Sequence, residues 1–422
     1  MNIAILALGA LIFLAHLFGI VFQRTRVPDV LLLIVLGVLL GPVAGVVRPE
    51  AMGQVGQVLS GLALVVILFE SGTTTDLGAL AGALRPMLRL TLVTFVLTAI
   101  IAGTYAAALL GLPPLAAAVL GCIVGGSSSA VVIPLAKGLG LGERTQTVLV
   151  LESAVTDVLC IVTVFGVVDA AGRGSLDPFR MLGAILASML FAALLGVAGG
   201  VAWMRALPLV RRIPNTIAAS VAFVLLVYGV TDVLGFSGGI AALAFGVTLT
   251  NHERFHLVES LVRRRGAAVP ATLQPVERQV FAEAVFLLKT LFFVYLGVSF
   301  RFGNVQVLVG GLVVTLAIYL GRLTVTQQLL DRGTPVRDAV MVSVMVPKGL
   351  AAAVLASIPL QAGIAGGELV RDVTYAIVFY SILATAVLAW ASEREPLRGL
   401  YQRVFRRFGA PSPTPATPVP AG

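Results

Sequence analysis

The sequence predicts an all-α polytopic membrane protein, and three observations carry that expectation. Hydrophobic residues make up 58% of the 422-residue chain and charged residues only 12%, against about a quarter charged in an ordinary globular chain. That leaves too little polar surface to coat a soluble fold of this size. The apolar residues also run continuously, without the alternation that β-barrel strands require. Finally, the runs match helices crossing a hydrocarbon core about 30 Å thick, which takes roughly 20 residues.

On that ruler thirteen spans are expected, near 2–22, 27–47, 55–71, 85–111, 113–137, 145–169, 179–207, 215–234, 236–250, 279–300, 303–330, 335–361 and 369–392. The first is not a cleavable signal, because no basic segment precedes it and it is long enough to cross. An odd number of spans places the termini on opposite sides. Of the 29 Lys and Arg, Lys289, Arg322 and Lys348 lie within spans. With the C-terminus inside, only Arg48, Arg173, Arg180, Arg301 and Arg371 face outward, and all the rest face the cytoplasm. The positive-inside rule therefore gives an external N-terminus and a cytoplasmic C-terminus. Trp203 and Trp390 then fall at cytoplasmic helix ends, where aromatic belts belong. The net charge of +9 thus reads as loop asymmetry and not as a nucleic-acid footprint. Cys122 and Cys160 lie inside apolar runs, so they read as small buried hydrophobes and not as a disulfide framework.

Two spans are interrupted at mid-depth. Span 5 carries Gly125-Gly126-Ser127-Ser128-Ser129 followed by Pro134, and span 12 carries Pro347-Lys348-Gly349. Spans 1–6 and 8–13 form two sets of six with inverted topology, linked by span 7, and each break falls in the fifth helix of its set. Matched interruptions in inverted halves point to a transporter's binding site. The alternative is that Gly and Ser only allow close helix packing.

Charges inside a bilayer are costly, so each calls for a partner or a task. In span 6, Ser153 and Asp157 are four apart and share one helix face, while Glu152 and Thr156 share a second. Arg322 in span 11 is too central to snorkel and needs an anionic partner, for which Glu152 is the candidate. Breaking such a buried pair would be costly. Asp157 then remains without a permanent partner, and a lone carboxylate in a dehydrated cavity is a ready proton/cation exchange site. The hydroxyls of Ser153 and Thr156, with Ser127, Ser128, Ser129 and the carbonyls freed at the span 5 break, would complete an oxygen cage for a small alkali cation. Lys348 has two readings: a fixed charge facing the half-helix carbonyl ends, or a partner for Asp157 when no cation is bound. Lys289, Glu283, Asp232 and Glu70 read as cavity-lining or interfacial groups.

The longest cytoplasmic loop, 251–278, has Phe255, Val258 and Val262 on one helical face opposite Arg263-Arg264-Arg265, as an interfacial amphipathic helix would. His252, His256 and Glu259 share a face there, which reads either as a solvated surface or as a metal-binding or pH-sensing group. The Pro-rich tail from Gly409 is expected to be disordered. Only some thirty residues follow span 13, too few for a nucleotide-binding regulatory domain. Gly138-Leu139-Gly140-Leu141-Gly142 lacks the preceding strand and spacing of a dinucleotide fingerprint. No cofactor is indicated.

At these residues the chain resembles the monovalent cation:proton antiporter superfamily, of the sodium/proton exchanger type. Glu152-Ser153-x-x-Thr156-Asp157 looks like that family's Glu-Ser-x-x-Asn-Asp signature, with Thr in place of Asn. Phe292-Phe293-Val294-Tyr295-Leu296-Gly297 is similar to the motif of its tenth span, Arg322 to the arginine that pairs with the signature Glu, and Pro347-Lys348-Gly349-Leu350 to the Arg-Gly segment of its twelfth. Where many members carry Thr-Asp-Pro in the fifth helix, this chain has Ser127-Ser128-Ser129, closer to potassium-efflux relatives. The resemblance implies a multi-pass plasma-membrane protein of prokaryotic type that exchanges Na+ (or K+ or Li+) for protons, one for one and without net charge movement. It further implies a homodimer working by an elevator-like cycle. Residues 1–78 and 213–302 would form a dimerising scaffold, 79–170 and 303–393 a moving core, 171–212 the linking helix, and 394–422 a disordered cytoplasmic tail. A conducting channel is the second reading, although no carbonyl-filter repeat is present. An intramembrane enzyme using Asp157 and Glu152 is the third, and no nucleophile–base pair or metal cluster supports it.

Overall fold

The computed structural model describes residues 2–25, 27–47, 77–172, 178–212, 216–251, 274–301, 304–392, 394 and 397–409, with short helical pieces between 58 and 73. His252, His256, Glu259 and the three arginines after them lie outside the described residues, as does the Pro-rich run beyond Gly409. Among the described residues there is no strand, and the elements are helices. Six are long and apolar enough to cross a membrane: Met87–Leu110, Glu143–Val168, Leu186–Val210, Val276–Val298, Val305–Leu329 and Gly367–Ser392. They occupy the expected spans 4, 6, 7, 10, 11 and 13. Shorter apolar helices stand at Leu6–Phe22, Asp29–Val43, Ala218–Val233 and Gly238–Thr250, where spans 1, 2, 8 and 9 are expected.

Local chemistry sets several boundaries. The helix of span 4 runs from Leu77 to Leu110, longer than its apolar stretch, and stops at Gly111, whose φ of 63° suits a residue without Cβ. Pro113 and Pro114 then open span 5, since a proline is best tolerated in the first helical turn. Ser237 caps span 9 by accepting from Ile240 N–H at 3.4 Å, and Asn304 caps span 11 by accepting from Gln306 and Val307 N–H at 3.0 and 3.3 Å. Glu277 accepts from the Gln274 N–H at the start of span 10, closing a capping box.

Small residues decide which helices touch. Span 10 lies on span 2 through Gly297 and Gly37: a Cβ on Gly297 would meet the Ile34 carbonyl oxygen at 2.2 Å, and one on Gly37 the Val294 oxygen at 2.2 Å. Gly72 and Gly246 bring the end of span 3 against span 9 in the same way, and Gly196 sets span 7 on span 9. Spans 4, 5, 6, 11, 12 and 13 pack with one another, and spans 7, 8 and 9 form a second packed group. In membranes such backbone approach replaces the hydrophobic drive that water would supply.

Three expectations change. Trp203 is not an interfacial anchor: it is 4% exposed, stacked on Phe223 at 4.6 Å within a cluster that includes Phe69 and Phe245. The apolar area gained by burying its ring outweighs an indole N–H that finds no partner. The stretch expected as a disordered tail holds a helix, Leu397–Val404, and buries Phe405 and Phe408 against Ala339, Val340 and Leu330; those two rings give it something to dock with. Cys122 is half-buried, while Cys160 is buried.

Candidate functional site

Both interrupted spans break where the sequence loses helix formers. Span 5 is helical over Pro114–Val124 and again over Ser129–Gly138, with Gly125 to Ser128 between them. Span 12 is helical over Val336–Val344 and Leu350–Leu355, with Met345 to Gly349 non-helical between them. The two breaks cross. Ser128 N–H donates to the Pro347 carbonyl at 2.7 Å, and the Lys348 ammonium donates to the Gly126 carbonyl at 2.7 Å. Gly349 permits that approach, because a Cβ there would sit 1.9 Å from the Ser128 hydroxyl oxygen. Backbone groups freed at the breaks thus find partners, some in the opposite break and others on the helices beside it, as buried backbone must.

Span 6 lies alongside the crossing. The Thr156 hydroxyl accepts from Ser127 N–H at 3.1 Å and donates to the Ser153 carbonyl at 3.2 Å, with Ser127 Oγ 3.5 Å away. Cys160 Sγ accepts from Gly126 N–H at 3.1 Å. Asp157 is 7% exposed, and its Oδ2 accepts from the Ser129 hydroxyl at 2.9 Å. The structure therefore brings Asp157, Thr156, Ser127, Ser128 and Ser129 to one place. Ser153 is buried one turn away, with its hydroxyl donating to Val150 O at 2.8 Å and no hydrogen bond to Asp157.

Glu152 and Arg322 meet on the other side of span 6. Arg322 Nη1 pairs with Glu152 Oε1 and Nη2 donates to Oε2 at 2.7 Å, a bidentate arrangement with both side chains buried. Arg322 Nη1 also donates to Thr94 Oγ1 at 2.8 Å, and Nε to the Val342 carbonyl at 3.0 Å. One guanidinium thereby joins spans 4, 6, 11 and 12. A fork of fixed donors is suited to this in a way an ammonium is not.

Lys348 is 1% exposed, and its ammonium sits on the Gly126 carbonyl instead of on Asp157. Its own N–H donates to Ser381 Oγ at 2.9 Å. The Tyr319 hydroxyl donates to the Ser381 carbonyl at 2.8 Å and lies 2.6 Å from Thr385 Oγ1, so spans 11 and 13 brace the break. Sequence reasoning did not single out Thr94, Cys160, Ser381 or Thr385. Their signal is only a small polar residue in an apolar run, which is common in membrane helices. It also missed Asp29, which accepts from Lys289 Nζ at 2.7 Å and pairs span 2 with span 10. Asp29 stands at the very start of span 2, where a charge can still reach water, and it draws no attention until its partner is known. His16 packs edge-on against Phe286 at 4.5 Å.

A family model described as "Sodium/hydrogen exchanger, transmembrane" matches residues 10–394. Among curated relatives, the K(+)/H(+) antiporter NhaP of Alkalimonas amylolytica is 24% identical over 90% of this chain and 65% of its own length. The K(+)/H(+) antiporter NhaP2 of Shewanella sp. (strain MR-4) is 28% identical over 55% of this chain and 41% of its own. This chain thus spans 41 to 65% of the length of those two relatives. The Na(+)/H(+)-K(+) antiporter GerN of Bacillus cereus is 24% identical over 90% of this chain and 92% of its own. Among solved structures, the sodium proton antiporter MjNhaP1 from Methanocaldococcus jannaschii shares the fold, with a TM-score of 0.74 at 19% identity over 98% of this chain and all of that one.

Proposed function

The chain belongs to the sodium/hydrogen exchanger family, and on that premise we propose that it is a secondary transporter exchanging a monovalent alkali cation for protons. The observation that carries the proposal is the unequal treatment of two acids in one helix. Glu152 is neutralised by a buried guanidinium, whereas Asp157 lies at the crossing of two broken helices with a serine hydroxyl on it and no ion-pair partner among the described residues. A buried carboxylate of this kind stays stable only with a proton or a cation on it. Proton and cation therefore compete for Asp157, and the core crosses only when one of them is bound. The hydroxyls of Thr156, Ser127 and Ser129 and the carbonyls of the break supply the other oxygens.

Sodium and potassium are the two leading cations, with lithium as a third. The family's description as sodium/hydrogen exchangers supports sodium. The serine-rich break and the relatives named for K(+)/H(+) exchange support potassium. One titrating acid implies one proton per cation and no net charge movement. The seat of Lys348 on the Gly126 carbonyl supports a fixed role for that charge, which keeps the exchange neutral.

The proposed architecture is thirteen spans in two inverted sets of six, N-terminus outside and C-terminus in the cytoplasm. Spans 4–6 and 11–13 move as the core against a homodimeric scaffold of spans 1–3 and 8–10. The mutual packing of spans 4, 5, 6, 11, 12 and 13 supports that division. Everted vesicles carrying the protein and a preformed proton gradient test the function. Collapse of the gradient by Na+, K+ or Li+ is expected and names the cation; a gradient that persists against all three across neutral and alkaline pH overturns the proposal.

A further inference from the structure

Beyond the last span the chain turns back onto the ends of spans 11 and 12 and carries a basic surface. On span 13, Leu383, Val387 and Trp390 are exposed by 37, 51 and 47% and lie four and three residues apart, so they form one lipid-facing stripe. Arg394 follows four positions later, its guanidinium 5.2 Å over the Trp390 ring. A tryptophan with an arginine on its face marks the level of the headgroups.

The helix Leu397–Val404 is held at that level and not free in solvent. Phe405 and Phe408 are 1% and 6% exposed, packed against Ala339, Val340, Leu323 and Leu330 at the ends of spans 11 and 12. Gln327 Nε2 donates to the Val404 carbonyl at 3.1 Å, and Gly409 N–H to the Arg332 carbonyl at 2.9 Å. The Tyr401 hydroxyl reaches the Leu388 carbonyl at 3.4 Å, which sets the helix beside the last turn of span 13. With its phenylalanines turned inward, the segment presents Arg403, Arg406 and Arg407 outward, next to the exposed Val404. No described acid pairs with these three arginines. Two acids in the adjoining elements have contacts of their own, Asp331 with Arg144 at 3.5 Å and Asp338 with Gly142 N–H at 3.2 Å. From Arg394 to Gly409 the sequence holds five arginines against one acid, Glu395.

We propose that the docked segment 397–409, whose helix is Leu397–Val404, lies on the membrane surface and, together with Arg394 at the end of span 13, binds anionic phospholipid headgroups through Arg403, Arg406 and Arg407. Guanidinium forks match phosphate oxygens, and clustered arginines beside the last span are drawn to an anionic leaflet. Val404 enters the acyl boundary between them. Because Phe405 and Phe408 clamp the segment to spans 11 and 12, anionic lipid held here is attached to those spans as well. The inference rests on the chain being membrane-embedded and not on the exchange reaction.

The test uses the full chain in nanodiscs with brominated phosphatidylglycerol or brominated phosphatidylcholine, reading quenching of the exposed Trp390; the buried Trp203 contributes a constant background. Phosphatidylglycerol is expected to quench at the lower mole fraction, each surface arginine contributing roughly fivefold to the preference. High salt, and the triple variant R403Q/R406Q/R407Q, should bring the two lipids together, while the triple Arg→Lys variant keeps most of the preference. Equal quenching by both lipids in the unmodified protein overturns the proposal, as does an unchanged preference in the glutamine variant. Should that variant fail to fold, the salt dependence of the unmodified protein decides the matter by the same criterion.

Discussion

Asp157 and Glu152 are five positions apart on one helix, and their surroundings differ: a buried guanidinium on Glu152, a serine hydroxyl on Asp157. Glu152 receives two donors from Arg322, a side chain only 2% exposed. Removing one partner of a buried pair strands the other charge and costs about 3–5 kcal/mol. Glu152→Gln should therefore lower the thermal stability of the purified protein by that order, with Glu152→Asp recovering part of it through a shorter but still anionic contact. Unchanged melting of Glu152→Gln would show that the pair does not hold spans 4, 6, 11 and 12 together. Thr156 illustrates a different economy: one hydroxyl satisfies a broken-helix N–H and its own helix carbonyl together. A serine there keeps both bonds, whereas a valine of the same shape leaves Ser127 N–H buried without a partner, the more expensive outcome.

Among elements, glycine contacts are the joints. The last residue of Phe292-Phe293-Val294-Tyr295-Leu296-Gly297 presses on the backbone of span 2, and a Cβ at Gly297 would lie 2.2 Å from the Ile34 oxygen. Backbone atoms cannot step aside as a side-chain tip can, so Gly297→Ala must push the two helices apart. We expect a loss on the order of 1–3 kcal/mol, read as a lower melting temperature. Gly9→Ala in span 1, with open space around it, serves as the neutral control. Equal melting of the two variants would contradict the joint. The breaks of spans 5 and 12 were legible in the sequence because Gly, Ser and Pro interrupt apolar runs, and each interruption lies within its own span. Their mutual contact, Ser128 with Pro347 and Lys348 with Gly126, was not, since it joins residues more than two hundred positions apart. The same limit hid Thr94 and Asp29, whose meaning comes from Arg322 and Lys289. Trp203 failed for another reason: its position near a helix end fits a belt, and only the aromatic neighbours Phe223 and Phe245 show that it is packed.

For the whole molecule, the arrangement concentrates polar chemistry at one mid-membrane crossing and surrounds it with apolar helices. The membrane class was legible from composition and the candidate site was proposed from two charges in span 6, while the grouping of helices depended on long-range packing. In the proposed exchange, cation and proton occupy the same carboxylate in turn. The most direct test is isotopic cation uptake into proteoliposomes of the purified protein, measured as a function of external pH beside Asp157→Asn. Competition predicts that the KM for the cation rises by about tenfold per unit of falling pH on the acid limb, with the maximal rate unchanged. It also predicts that the Asp157→Asn protein, folded and monodisperse, carries no exchange at any pH. A KM indifferent to pH, or exchange that survives in Asp157→Asn, would contradict it.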